Sequence, residues 1–128
     1  LLGVGTTTGG VIDILRAAKH WLTDAGHACA VMGFCWGGSV ALLGNTRLAM
    51  PGVAYYGAQP PAEDVAKIKA ALLLQYAGLD DRINAGIDAY RKALTEYQFA
   101  RLSLECGGNH AFTGFERYPA QIIHFLGL

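Results

Sequence analysis

The stretch VMGFCWGG, residues 31–38, constrains the fold of this chain more than any other feature. Residues 33–37 match the pattern Gly-x-nucleophile-x-Gly, in which a strand turns into a helix so sharply that only glycine fits the neighbouring close contacts. Gly38 adds room for the helix to approach the sheet. The turn holds the middle side chain at the carboxyl end of the strand, so the pattern predicts Cys35 as a nucleophile. The amide of Trp36 would supply one half of an oxyanion hole.

Apolar runs and helical patterns alternate along the rest of the chain. A helix is predicted from residue 11 to about 24–26, and the preceding GVGTTTGG is predicted to be loose or turn-like. The predicted strands are 27–34, 52–57, 70–78 and 99–106, and the later helices are 39–45, 62–69, 83–98 and 115–128. Strands that alternate with helices imply a parallel sheet covered on both faces. We therefore predict a single α/β domain over residues 1–128.

The charge balance excludes several classes of function. Lys plus Arg and Asp plus Glu both number 10, so the chain has no electrostatic footprint for nucleic acid or an anionic membrane. No apolar run approaches the roughly 20 residues that cross a bilayer. Three cysteines without a Cys-x-x-Cys pair argue against a disulfide framework. We expect a soluble cytoplasmic protein with free thiols.

A thiol nucleophile needs a base and a group that orients the base. The loop YAGLDDRIN follows the third predicted strand and CGGNHAF follows the fourth, so both lie at the same edge of the sheet as Cys35. They offer His110 as the base and either Asp80 or Asp81 as the acid. The other aspartate would cap the next helix or pair with Arg82.

The other thiols and histidines are interpreted as structural. Free cysteines are usually buried, and this is the interpretation of Cys29 and Cys106. Three histidines flank a predicted helix or lie within one: His20, His27 and His124. A metal site built on Cys106 and His110 lacks third and fourth ligands of convincing spacing. The sequence therefore implies neither a metal ion nor a cofactor.

A second enzyme class also places a cysteine on a strand-to-helix turn. Class I glutamine amidotransferases do so, but they pair the cysteine with a downstream His-x-Glu. Here His110 is followed by Ala111 and Phe112. The chain therefore does not fit that class.

Together the motifs GFCWGG, AGLDDRINAG and NHAF resemble the dienelactone hydrolase (carboxymethylenebutenolidase) family of α/β-hydrolases, and the similarity runs from about residue 10 to residue 127. By motif position, Cys35 matches the nucleophile, His110 the base and Asp80 the orienting acid. The resemblance implies hydrolysis of an enol ester, ester or lactone through an acyl-thioester intermediate. The substrate would be a small molecule.

The chain also departs from that family. The family fold has a longer N-terminal portion, which carries a second oxyanion-hole amide, a carboxylate that interacts with the thiol, and substrate-binding residues. None of these can be located here. Thr113 and Gly114 stand near the place of the arginine that binds the substrate carboxylate in dienelactone hydrolase proper, with Arg117 as a substitute. An inactive remnant that serves as an interaction module is the alternative function, because one missing oxyanion donor costs about 10²- to 10³-fold in rate.

The missing strands also leave a sheet edge open. In the family the strand that bears the nucleophile is central, whereas here one side of ACAVMGF has no partner strand within the chain. An unpaired apolar edge invites aggregation. We expect a missing N-terminal fragment, a second copy of the chain as in a homodimer, or a rearranged N-terminal segment to cover it.

Overall fold

The structure, a computed structural model, describes residues 7–59, 62–94, 100–105 and 119–126. Its four strands, all parallel, are β1 (Val31–Phe34), β2 (Gly52–Tyr55), β3 (Leu72–Ala77) and β4 (Ala100–Glu105), in the order β1-β2-β3-β4. The helices are α1 (Thr8–Asp24), α2 (Trp36–Leu48), α3 (Asp81–Asn84), α4 (Ile87–Leu94) and α5 (Pro119–Leu126), with a 3₁₀ helix over Ala62–Lys67. The predicted α/β class with a parallel sheet is confirmed. That residues 1–128 form one domain stays a prediction.

The first helix and the first strand differ from the predicted bounds. Helix α1 begins at Thr8, so part of the segment predicted to be loose is helical, and the Thr7 hydroxyl accepts a hydrogen bond from the Gly10 N–H at 3.1 Å as its cap. Strand β1 begins only at Val31, whose N–H donates to the Pro51 carbonyl at 2.9 Å. The partner strand β2 starts at the next residue. Residues 27–30 therefore precede the start of the β1–β2 ladder.

The helix predicted over residues 83–98 is two helices in the structure. Helix α3 ends at Asn84, and α4 starts immediately after Gly86, a residue type that disfavours a helix interior. The segment predicted as a short helix after β2 is the 3₁₀ helix. Pro119 is the first residue of α5, a position that suits proline because the backbone nitrogen has no intrahelical acceptor there.

Helices cover both faces of the sheet. On one face, α2, α4 and the 3₁₀ helix pack on the strands through ten buried side chains: Ala41, Leu42, Ala54, Val65, Leu72, Leu74, Tyr76, Ile87, Tyr90 and Leu94. On the other face, Ile122 and Phe125 of α5 pack against a smaller cluster of Val53, Tyr55, Leu73 and Ala77. The carboxyl ends of all four parallel strands consequently share one edge, which is called the rim below.

Strand β1 is an edge strand in the part of the chain that the structure describes, since its only ladder is with β2. The sheet is predicted to be covered on both faces, but the Met32 side chain of β1 is 52% exposed. Helix α1 packs on α2, where the Lys19 ammonium donates to the Leu48 carbonyl at 2.6 Å. Its Ile14 and Trp21 are exposed. The edge expected to be open is therefore open among the described residues.

Candidate active site

Cys35 lies at the junction of β1 and α2 and has a backbone conformation that side chains rarely adopt. Its φ is 54° and its ψ is −121°, a region that glycine occupies far more readily than other residues. The Cys35 N–H donates to the Tyr55 carbonyl at 3.0 Å, and the Cys35 carbonyl accepts from the Gly38 N–H at 2.9 Å. The thiol is exposed at the first turn of α2. Unpaired amides and the helix dipole favour a negative charge at this position.

Two of the three glycines around Cys35 are required by close approach. A Cβ on Gly33 would lie 1.9 Å from the Gly37 carbonyl oxygen, and a Cβ on Gly38 would lie 2.6 Å from the Tyr55 carbonyl oxygen. A Cβ on Gly37 would meet nothing within 4 Å. The prediction that only glycine fits both flanking positions therefore holds for Gly33 and is wrong for Gly37.

Trp36 is the first residue of α2, so its amide belongs to the helix turn that has no intrahelical acceptors. This is the position from which the predicted oxyanion-hole donor would act. The indole ring is 60% exposed. The side chain thus lies in solvent beside the thiol.

Asp80 follows β3 at the same rim and is only 8% exposed. One of its carboxylate oxygens accepts from the Ile83 N–H at 3.3 Å, which caps α3, and its carbonyl accepts from the Asn84 N–H at 2.9 Å. Asp81 is the first residue of α3 and is exposed. Asp80 is thus the aspartate that caps α3, and which of the two aspartates orients His110 stays a prediction.

The sheet order sets how far apart these groups lie along the rim. Cys35 follows β1 and Asp80 follows β3, so one strand separates them, or about 10 Å at the usual strand spacing of ~4.8 Å. The structure thus brings Cys35, Trp36 and Asp80 to one edge. His110, Arg117 and Cys106 lie outside the described residues, and the role of His110 stays a prediction.

Tyr56 is a residue of this site that the sequence reasoning missed. It follows β2, directly between the ends of β1 and β3, and its φ is 38°. Burial, followed by the nearby negative charge of Cys35, raises the pKa of Tyr56 above its ordinary value. The rule that selected Cys35 and Asp80, a chemistry-bearing side chain just past a strand, passed over this tyrosine because the predicted strand 52–57 included it, whereas β2 ends at Tyr55.

Two further features bear on the kinds of site present. Across residues 7–59, 62–94, 100–105 and 119–126, no three His, Cys, Asp or Glu side chains cluster as metal ligands would. No helix in these ranges is both long and apolar enough to traverse a bilayer.

Two comparisons with known proteins bear on this site. A sequence model of the dienelactone hydrolase family matches residues 4–121. A protein from Saccharolobus solfataricus that carries the name "Putative carboxymethylenebutenolidase" is 33% identical over 103 residues, which cover 78% of this chain and 40% of that protein. The chain thus spans about two fifths of the length of this relative.

Proposed function

The chain belongs to the dienelactone hydrolase family, and on that premise we propose that it hydrolyses esters or lactones with Cys35 as the nucleophile. The observation that carries this proposal is the backbone of Cys35. A cysteine at φ 54° costs stability that a glycine would not, and the strain presents the thiol to solvent at a helix N-terminus. Strain of this kind is typical of functional positions.

The proposed reaction has two steps. His110 takes the thiol proton of Cys35. The resulting thiolate adds to the carbonyl carbon, and the Trp36 amide donates to the oxygen that becomes negative. The tetrahedral intermediate then collapses and expels the alkoxide, which takes the proton from His110. An acyl thioester remains on Cys35. His110 then takes a proton from water, the hydroxide attacks the thioester, and the acid and the thiol are released.

Asp80 is proposed to orient His110. It is buried at the rim, where a carboxylate can hold an imidazole in one tautomer and stabilise its protonated form. The capping bond to the Ile83 N–H fixes the carboxylate in place. Asp81 is exposed and lacks this fixation in the described structure.

The substrate class rests on family membership. The relative's name refers to a cyclic enol ester hydrolase, and thiolate attack suits enol esters, aryl esters and strained lactones because their leaving groups are good. Thr113 and Gly114 stand near the place where dienelactone hydrolase proper has an arginine for the substrate carboxylate, and Arg117 is a substitute three residues further on. We therefore propose small esters and lactones rather than dienelactone itself.

Hydrolysis of a panel of p-nitrophenyl esters and lactones tests the proposal. Wild type should turn over and, after an acid quench, carry an acyl adduct at Cys35 in peptide mass spectra. Cys35→Ala should lose turnover to background, whereas Cys29→Ala, which removes a half-buried free thiol away from the rim, should retain it. Equal rates in wild type and Cys35→Ala would refute the nucleophile assignment.

A non-catalytic binding module is the second candidate function. The open β1 edge favours it, because among the described residues the strand that bears Cys35 is paired on one side only. This candidate predicts a chain that forms a complex with another polypeptide and lacks ester turnover. Measuring mass in solution together with turnover separates the two candidates.

We place the protein in the reducing cytoplasm. The proposed chemistry needs a reduced thiol, and Cys29 and Cys35 are both free in the structure. Fractionation of the source cells with an antibody to the protein tests this placement.

A further inference from the structure

The side chain of Tyr56 does not follow the alternation of side chains along β2. Successive side chains of a strand point to opposite faces, so Tyr56 should point away from Tyr55. Instead it packs against the cluster that contains Tyr55, and its ring centroid lies 6.2 Å from that of Phe34. The left-handed φ of 38° redirects the side chain. Such a conformation is a genuine outlier for a bulky residue.

The backbone on either side of Tyr56 is fixed against the nucleophile. The Tyr56 N–H donates to the Gln75 carbonyl at 2.8 Å, and the preceding carbonyl accepts from the Cys35 N–H. On the other side, a Cβ on Gly57 would lie 2.6 Å from the Ser39 nitrogen. The segment from Tyr55 to Gly57 is therefore held in contact with the turn that bears Cys35.

An exposed apolar side chain follows the neighbouring strand on each side of Tyr56. Trp36 follows β1 and is 60% exposed, and Leu79 follows β3 and is 67% exposed. Large apolar side chains that are exposed near a reactive group commonly contact a ligand. The Tyr56 phenol is neutral at neutral pH, since the ordinary pKa of tyrosine is 10.0 and burial raises the pKa of Tyr56 further. The Tyr56 ring thus offers a planar, uncharged surface at the rim.

We propose that Tyr56 is a specificity-determining residue: its ring forms the wall beside Cys35 against which a flat, uncharged, aromatic or conjugated group of the ester lies. This inference rests on the proposed function and names the substrate group that the site prefers. Aromatic contacts favour offset or tilted stacking, and each contributes a few-fold to tenfold in binding.

Alkylation of Cys35 by two maleimides tests the wall without requiring turnover. The thiolate adds to the maleimide double bond and the neighbouring carbon takes a proton from water, so no oxyanion hole or leaving group is involved. The probes are N-phenylmaleimide and N-ethylmaleimide, and peptide mass spectrometry reports modification of Cys35 alone. The ratio of their rate constants, divided by the ratio for glutathione, measures the aromatic preference.

Two variants isolate the ring from the backbone. Tyr56→Phe keeps the ring and loses the hydroxyl. Tyr56→Asn removes the ring, and asparagine tolerates the left-handed conformation that position 56 requires. Tyr90→Phe is the control for loss of a buried phenol on the opposite face of the sheet. Circular dichroism establishes that each variant is folded.

Wild type, Tyr56→Phe and Tyr90→Phe should show an aromatic preference of about threefold to tenfold, and Tyr56→Asn should lose it. If the ratio of the two maleimide rate constants for wild type equals that for glutathione, the inference is overturned by the wild-type protein alone. An unchanged preference in Tyr56→Asn overturns it as well.

The same proteins assayed with phenyl acetate and ethyl acetate connect the wall to hydrolysis. Tyr56→Asn should raise KM for the phenyl ester more than for the ethyl ester. If wild type shows the maleimide preference but hydrolyses neither ester, the hydrolase proposal fails while the aromatic wall stands. If wild type hydrolyses both esters and Tyr56→Asn changes their ratio by less than a factor of two, only the wall fails.

Discussion

Cys35 and Gly33 occupy positions where the backbone leaves almost no freedom of residue choice. Cys35 has a left-handed φ, and Gly33 faces the carbonyl oxygen of Gly37 at a distance that no Cβ tolerates. Both constraints come from the same feature, the abrupt turn from β1 into α2. The geometry of the candidate nucleophile therefore depends on a glycine two residues before it.

Gly33→Ala should be strongly destabilising, by more than about 3 kcal/mol, because its Cβ would meet backbone atoms that cannot move independently. Gly37→Ala is the matched control. Its Cβ meets nothing within 4 Å and it lies in the first turn of α2, so a change between zero and a gain of about 1 kcal/mol is expected. Urea denaturation of both variants measures the difference. Equal stabilities would contradict the described turn.

The sequence predicted the site residues that depend on position along the chain and missed those that depend on local backbone geometry. Cys35 and Asp80 were placed at the rim because both follow predicted strands. Tyr56 was missed because only its left-handed φ turns it toward Phe34, and no sequence pattern gives that angle. The requirement for Gly37 was overestimated, since a motif does not distinguish which glycine faces a close contact.

At the scale of elements, one polar side chain of α2 connects the loops before two strands. Asn45 is fully buried, and its amide group donates to the carbonyls of Met50, Ala70 and Ala71 at 2.9 to 3.3 Å. Met50 precedes β2, and the two alanines precede β3. A single amide thus ties α2 to the starts of both neighbouring strands.

Asn45→Ala should lower the free energy of unfolding by about 2–4 kcal/mol. The substitution removes the buried hydrogen bonds that the Asn45 amide donates to three backbone carbonyls. Thr46→Val provides the comparison at the next residue. The Thr46 hydroxyl donates to the Leu42 carbonyl within the same helix, so its loss should cost less than about 1 kcal/mol. Thermal and urea unfolding measure the stability of both variants. Equal stabilities would contradict the role of Asn45.

Element type and order were predictable because apolar runs and helical periodicity are local in sequence. The first and last residues of the strands and helices were less predictable. Strand β1 is four residues long because its ladder begins where β2 begins, after Pro51, and a single strand's sequence does not reveal its partner's first residue. The break between α3 and α4 falls at Gly86, within one continuous apolar periodicity.

At the scale of the whole molecule, the side of β1 that is unpaired among the described residues predicts self-association of the chain. Met32→Lys should weaken that association by about tenfold or more, because a charged side chain on an edge strand opposes pairing with another strand. Ile123→Lys, a similarly exposed residue on α5, should leave it unchanged. Sedimentation velocity across a concentration series measures both, and identical behaviour of the two variants would argue against edge pairing.

Stability should also fall in alkaline solution. Burial, together with the neighbouring Tyr90, raises the pKa of Tyr76 above its ordinary value of 10.0. Above that pH the unfolded chain loses the Tyr76 proton while the folded chain keeps it, so the free energy of unfolding decreases by about 1.4 kcal/mol per pH unit for this group. Tyr76→Phe should show a shallower decline between about pH 10 and pH 11. Parallel declines would indicate that Tyr76 ionises equally in both states.

The left-handed backbone at position 35 separates what folding selects from what chemistry selects. If the codon for this residue were randomised and the resulting proteins were screened only for thermal resistance, glycine should be the most enriched residue and cysteine should be depleted. A screen for turnover of an ester should return cysteine. The two screens applied to one library would therefore show how much thermal resistance the molecule gives up to keep a sulfur atom at this corner.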